Sequence, residues 1–366
     1  MISLFNEWKD RMLGRGDAAI TVPVFDGALK SNRFIEDARI LATLDDPEDL
    51  ASDGHSVFIA DGSRVLQIMP DDQLQEVLNC KGIVTALACL PEGGLALAIN
   101  GVEVRIEGGP HHGRKWTAAG GQPFSAINAI SVAKDGRLLV TDGSAKLPYA
   151  EWKRDLMSLG RSGRVFELQL ANGGARMLAS GMAYAFGVAE INGGIWASES
   201  WKHHVVQLGS GATRQAVTDG LPGYPSRLVP ASGGGAWLTC FALRTQLVEF
   251  VLREHAYRKR MMAEMEPAHW IAPALNSGNT FLEPMQGAQL KMMGVVKPWA
   301  PPRSYGLVVR LDDQGLVRYS VHSRFDGKNH GVLAAAECGG RLYMIAKGSR
   351  RLLALDIAAV EKELIG

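Results

Sequence analysis

Cysteine is scarce in this chain. Four occur in 366 residues, Cys80, Cys89, Cys240 and Cys338, each alone and with no CxxC pair among them. That spacing excludes a zinc knuckle and a dense disulfide framework, and the thiols read as free and buried. An excess of one charge is missing too: 39 Lys and Arg stand against 38 Asp and Glu, a formal net charge of +1. This argues against nucleic acid as a partner, because phosphate recognition needs clustered Lys and Arg. No run approaches the roughly 18 apolar residues that a membrane span needs. The opening stretch MISLFNEWKDRMLGRG is too charged for a secretory leader and reads as a short amphipathic helix, with Ile2, Phe5, Trp8 and Leu13 on one side. A soluble, cytoplasmic protein is expected. HExxH, GxSxG and GxxxxGK are absent, which removes helical zinc hydrolases, α/β-hydrolases and P-loop enzymes.

Glycine is what the chain has in quantity, 42 residues, and the glycines punctuate a repeat of about 40 residues. Residues 128–144, NAISVAKDGRLLVTDGS, show the unit. Ala129, Ser131 and Ala133 alternate with Ile130 and Val132, as in a strand packed among small neighbours. Asp135-Gly136 supplies the positive φ of a tight hairpin, and a second strand ends in a polar tip at residues 142–144. Copies begin at Ala38, Leu74, Arg114, Ala175, Thr213 and Tyr319. Six four-stranded units in a ring predict an all-β fold, a six-bladed β-propeller. Residues 39–44 would complete the last blade and leave no open edge. Residues 1–37 read as an N-terminal helix and extended lead-in, and residues 38–366 as the propeller.

Two copies carry insertions, residues 144–163 in the third and residues 241–304 in the fifth. In the larger one Leu247, Val251, Met261 and Met265 fall at helical spacing, and Arg258, Lys259 and Arg260 read as a solvated helix face. The remainder, rich in Pro, Trp and Met, reads as ordered irregular structure. Both insertions leave from the same kind of turn, so a helical and irregular cap over the channel mouth is expected.

The start of each inner strand should face that mouth, which collects Glu48, Thr85, Asn128, Phe186, Ser226, Arg227 and residues 330–333. Tips of the second strands add Asp61, Asn100, Asp142, Glu199 and Lys347, with Trp201 beside Glu199. The cap adds Trp270 and Trp299, which read either as an apolar roof for a ring-shaped or hydrophobic ligand or as the insert's own small core. Polar residues converging on a concave site are the first place to look for chemistry. His330, Glu48 and Ser226 come from consecutive blades, and a His between a carboxylate and a hydroxyl activates a nucleophile or a water.

LPGYP (residues 221–225), the TDGS tip, the strand GRVFEL and the hairpin GGRLYM together make the chain resemble the strictosidine synthase-like branch of the gluconolactonase and paraoxonase propellers. The resemblance implies a small-molecule site and, in many members, a calcium ion held by one Glu and several Asn or Asp. Carried over by position, Glu48 matches the glutamate and Asn128 the first asparagine, as metal ligands. Phe186 and Ser226-Arg227 stand where the others would be, so the set is incomplete. The glutamate of the condensing members falls at Val332 or Leu333, which removes that reaction. A lactone or ester hydrolase is therefore expected. Glu48 and Asn128 would position water or a cation, His330 would act as base, and Arg227 would stabilise the oxyanion. The alternatives are a binding propeller without turnover and a scaffold for a protein partner.

Overall fold

The computed structural model describes residues 22–209, 213–278, 283–284, 291–292, 295–296 and 303–366. Six four-stranded antiparallel sheets form a six-bladed propeller. The innermost strands are Pro47–Ser52, Val84–Cys89, Ile127–Val132, Ala185–Ile191, Gly223–Pro230 and Val332–Cys338. Arg39–Thr43 pairs antiparallel with Arg351–Asp356 and closes the last blade with the first of the described strands. Small and branched side chains fill the space between blades, as with Ala86, Ala98, Ile127 and Val140 in one cluster. The helix expected within residues 1–16 lies outside the described residues. Among the described residues no helix is long and apolar enough to cross a membrane.

Neighbouring blades are stitched at the hub. Asp49 Oδ2 accepts from Leu87 N at 2.9 Å, and Thr85 Oγ1 donates to Ile127 O at 3.0 Å. Thr141 Oγ1 donates to Phe186 O, Ser198 Oγ to Ser226 O and Thr239 Oγ1 to Leu333 O, at 2.5, 2.7 and 2.9 Å. These groups are buried, so each bond also satisfies a carbonyl or amide that water cannot reach. A Cβ at Gly187 would lie 2.4 Å from Ser226 O, so only glycine allows the fourth and fifth blades to approach there.

Both insertions join the second and third strands of a blade. The first lies between Leu138–Asp142 and Gly163–Leu168 and holds the short helix Trp152–Met157. The second lies between Ala236–Leu243 and Leu307–Leu311 and holds helices Gln246–Arg253 and His255–Glu264. Thr245 caps the former by accepting from Val248 N at 3.2 Å. The single helix expected here is broken at Glu254, where ψ is 78°. The break resets the helical phase: Val248, Val251 and Met261 are buried, while Leu247 and Met265 are exposed. Arg258 departs from the expected solvated face as well. It is buried and donates to Leu252 O, a carbonyl left over at the end of the preceding helix.

Candidate functional site

Every innermost strand slips register at its rim end: between Pro47 and Asp49, Val84 and Ala86, Ile127 and Ala129, Ala185 and Val188, Pro225 and Leu228, and Val332 and Ala334. The residues passed over are Glu48, Thr85, Asn128, Phe186 with Gly187, Ser226 with Arg227, and Leu333. A bulge of this kind releases a side chain from the pleat and re-aims it. Glu48, Thr85, Phe186 and Leu333 line a cavity of about 420 Å³ at the channel mouth. Tyr149 and Trp152 of the first insertion and Leu275 of the second line it too.

Glu48 is its chemical centre. The carboxylate is 4% exposed and forms an ion pair with Lys347 Nζ. Its Oε2 accepts from the Tyr149 hydroxyl at 2.5 Å. Lys347 also lies 3.1 Å from Asp46 Oδ1. Burial, and after it the Glu48 charge, hold the Tyr149 phenol well above its ordinary pKa, so Tyr149 stays a donor. Facing this polar end is an aromatic wall. Trp201 stacks on Tyr184 at 4.4 Å and Trp152 meets Phe241 edge-on at 5.4 Å. Trp201 is fixed by donating to Asp155 Oδ1 at 2.8 Å.

The tips of the second strands do different work from that expected. Asp61 accepts from Asp46 N at 2.6 Å, Asn100 from Ile83 N at 2.8 Å, Asp142 from Ala126 N at 2.7 Å and Glu199 from Ala183 N at 2.7 Å. Arg64 and Arg164, from the next strands of their sheets, hold Asp61 and Asp142, and Arg214, from the outermost strand of its sheet, holds Glu199. Asp142 and Glu199 are thus clamps on the rim loops and do not line the cavity. In the sixth blade the tip is a base, Lys347, and it reaches across to Glu48 instead. Among Asp61, Asn100, Asp142, Glu199 and Lys347, Lys347 alone is a base, a signal present in the sequence. Tyr149 gives no such signal, because it sits in an insertion with no repeat to align.

The other expected residues separate. His330 Nε2 donates to Arg324 O and its Nδ1 bonds Ser304 Oγ, both at 2.8 Å, and burial lowers its pKa. Ser226 Oγ bonds Thr239 Oγ1 at 2.7 Å. The Glu48, His330 and Ser226 arrangement does not form, because each has its own local partners. Trp270 is fully buried beneath the wall, and Trp299 lies outside the described residues.

Arg227 crosses the hub. Its Nη1 donates to Glu48 O at 2.9 Å and its Nη2 to Thr85 O at 2.7 Å. Its Nε is 2.9 Å from Asp49 Oδ1, an ion pair outside hydrogen-bond alignment, and the guanidinium lies 5.3 Å over the Phe186 ring. Burial raises the Asp49 carboxyl to about 6 against the attraction of Arg227. The folded value exceeds the ordinary 3.8, so this group's contribution to stability is full below that value and is lost as pH rises through about 6. A carbon-13 titration of the Asp carboxyls is expected to show one midpoint near 6. An Asp49 signal titrating with the exposed carboxyls would contradict the burial argument.

The donor set does not fit a calcium ion. Both Glu48 oxygens are engaged, Phe186 offers no oxygen, and Arg227 adds a fixed positive charge. Asn128 donates to Ala185 O at 2.7 Å, and its buried Oδ1 has no partner. Among the described residues no group of three or more His, Cys, Asp or Glu could hold a metal ion.

Two curated relatives are adipocyte plasma membrane-associated proteins. That of Salmo salar is 24% identical over 258 residues, 66% of this chain and 54% of that protein. That of Mus musculus is 24% identical over 236 residues, 61% and 50% of the two chains. The chain spans about half the length of the curated relatives it matches. Among solved structures, a gluconolactonase from Xanthomonas campestris superposes with a TM-score of 0.56 at 16% identity, over 92% of this chain and 95% of that one. A luciferin-regenerating enzyme does so with a TM-score of 0.52 at 12% identity, over 86% and 91%. These likenesses share the propeller fold. No family model matches the sequence.

Proposed function

We propose that this chain hydrolyses a small, largely apolar lactone or ester at the channel mouth. The observation that carries the reading is the Glu48 carboxylate, held between Tyr149 and Lys347 at the polar end of an aromatic cavity. A water against Glu48 gives it a proton as the water oxygen bonds to the substrate carbonyl carbon. The displaced electron pair moves to the carbonyl oxygen, where the Lys347 ammonium offsets the new charge. Collapse of the adduct breaks the C–O bond, and the departing oxygen takes the proton from Glu48, which restores the carboxylate. Tyr149 keeps that carboxylate oriented throughout. Similarity to a gluconolactonase fold supports a hydrolase scaffold.

The walls favour an apolar ring or chain next to the carbonyl. Besides Glu48 and the aromatic side chains, the polar lining is Asp46, Thr85, Asn100 and Lys347, few groups to satisfy a polyhydroxylated sugar lactone. A second reading, binding without turnover, is favoured by one observation: both Glu48 oxygens already have partners.

A panel of aryl esters, alkyl lactones and gluconolactone tests both, with Trp152 and Trp201 fluorescence as the binding readout. Hydrolysis of the aromatic or alkyl substrates is expected to exceed that of gluconolactone by about tenfold or more in kcat/KM. Saturable quenching without product would select the binding reading. Neither quenching nor product would reject the cavity as a ligand site.

A further inference from the structure

We infer that the Arg227 guanidinium is the channel's own permanent cation and makes the hub independent of a bound metal ion. The placement is the first ground. Arg227 comes from the fifth blade, and its guanidinium meets Glu48 O and the Asp49 carboxylate of the first blade, Thr85 O of the second and Leu333 O of the sixth, the last at 3.5 Å. Phe186 of the fourth blade covers one face of the group. Glu48, Thr85 and Leu333 are all bulge residues, so the oxygens belong to backbone taken out of the sheet ladder at the hub.

Charge is the second ground. Three neutral carbonyls and one carboxylate make a cage of net charge −1, which matches one guanidinium. A divalent ion in the same cage would remain half uncompensated and would lie against the Arg227 charge. Guanidinium is planar, always charged and weakly hydrated, which suits it to a buried ring of flat acceptors. The group is also nearly inaccessible: the side chain is 4% exposed and does not line the cavity. Its part is therefore positioning. By drawing in the Glu48 main chain it fixes where the Glu48 carboxylate stands.

The inference does not depend on turnover, so thermal melting of the whole chain can test it. The wild type is expected to show the same Tm in EDTA and in millimolar calcium. Arg227→Ala is expected to lose roughly 5 °C, because a buried carboxylate is left without its partner. Millimolar methylguanidinium should return a substantial part of that loss in Arg227→Ala and leave the wild type unchanged. Arg227→Lys, a compact ammonium, should fall between the two. A calcium-dependent rise in wild-type Tm with one ion bound per chain would overturn the inference. So would an Arg227→Ala protein as stable as the wild type, or one that methylguanidinium does not restore. Where Arg227→Ala does not fold, the wild-type calcium titration and the Arg227→Lys melt decide.

Discussion

Glu48→Gln is expected to lower kcat by about 10²–10⁴-fold, the range usual for a positioned general base. The amide has the size of the carboxylate and can still accept from Tyr149, so the cavity keeps its shape. What it loses is the ability to take a proton from water. Lys347 would retain Asp46 at 3.1 Å as a partner, so the variant should not be left with a stranded charge. The useful readout is therefore the split between parameters. KM and ligand quenching should move by only a few-fold, and the fall should lie in kcat. Lys347→Met separates the second half of the mechanism: it removes the charge opposite the oxyanion and frees Glu48 Oε1, so both kcat and the pH profile should change. A Glu48→Gln enzyme with wild-type kcat would sink the proposed chemistry whatever its affinity.

The reasons why some of this was legible in the sequence are physical. Inner strands carry small residues such as Ala86, Ala129 and Gly187 where blades meet, and each strand is bulged at its rim end. Alignment of the copies therefore picks out Glu48, Thr85, Asn128, Phe186 and Arg227 as hub residues, and the bulges pass over all five. What such alignment cannot give is the direction of each side chain. Asn128 is turned into the next blade to bond Ala185 O, and Arg227 is drawn below the cavity by three carbonyls. The acidic tips look like ligands in a list of residues, yet each is satisfied by a backbone amide of its own rim loop. His330 illustrates the same limit. It lies two residues before the inner strand Val332–Cys338, but Ser304 and the Arg324 carbonyl occupy both ring nitrogens. Tyr149 and Trp152 lie in an insertion, where neither repeat nor periodicity operates.

Trp270→Ala is expected to cost about 3–5 kcal/mol, the usual range for emptying a buried Trp site. Trp270 is 0% exposed and packs in a cluster with Leu156 and Met157 of the first insertion, Val248, Val251 and Met261 of the second, and Phe186, Phe241 and Leu333 of the rim. Its Nε1 also donates to Met265 O at 2.9 Å, and Arg154 lies 5.2 Å over its ring. One side chain thus connects both insertions to the strands that carry the cavity. Removing it should loosen the second insertion before the blades, whose stitches at Thr141, Ser198 and Thr239 do not involve it. Limited proteolysis should then cut within residues 246–278 at temperatures where the wild type resists, and ligand affinity should fall because Leu275 leaves the cavity wall. Trp201→Ala is the contrast: it removes cavity surface directly, so it should weaken binding without exposing the insertion to protease. If Trp270→Ala melts as the wild type does and the insertion stays resistant, the insertion is held by other contacts and does not depend on this core.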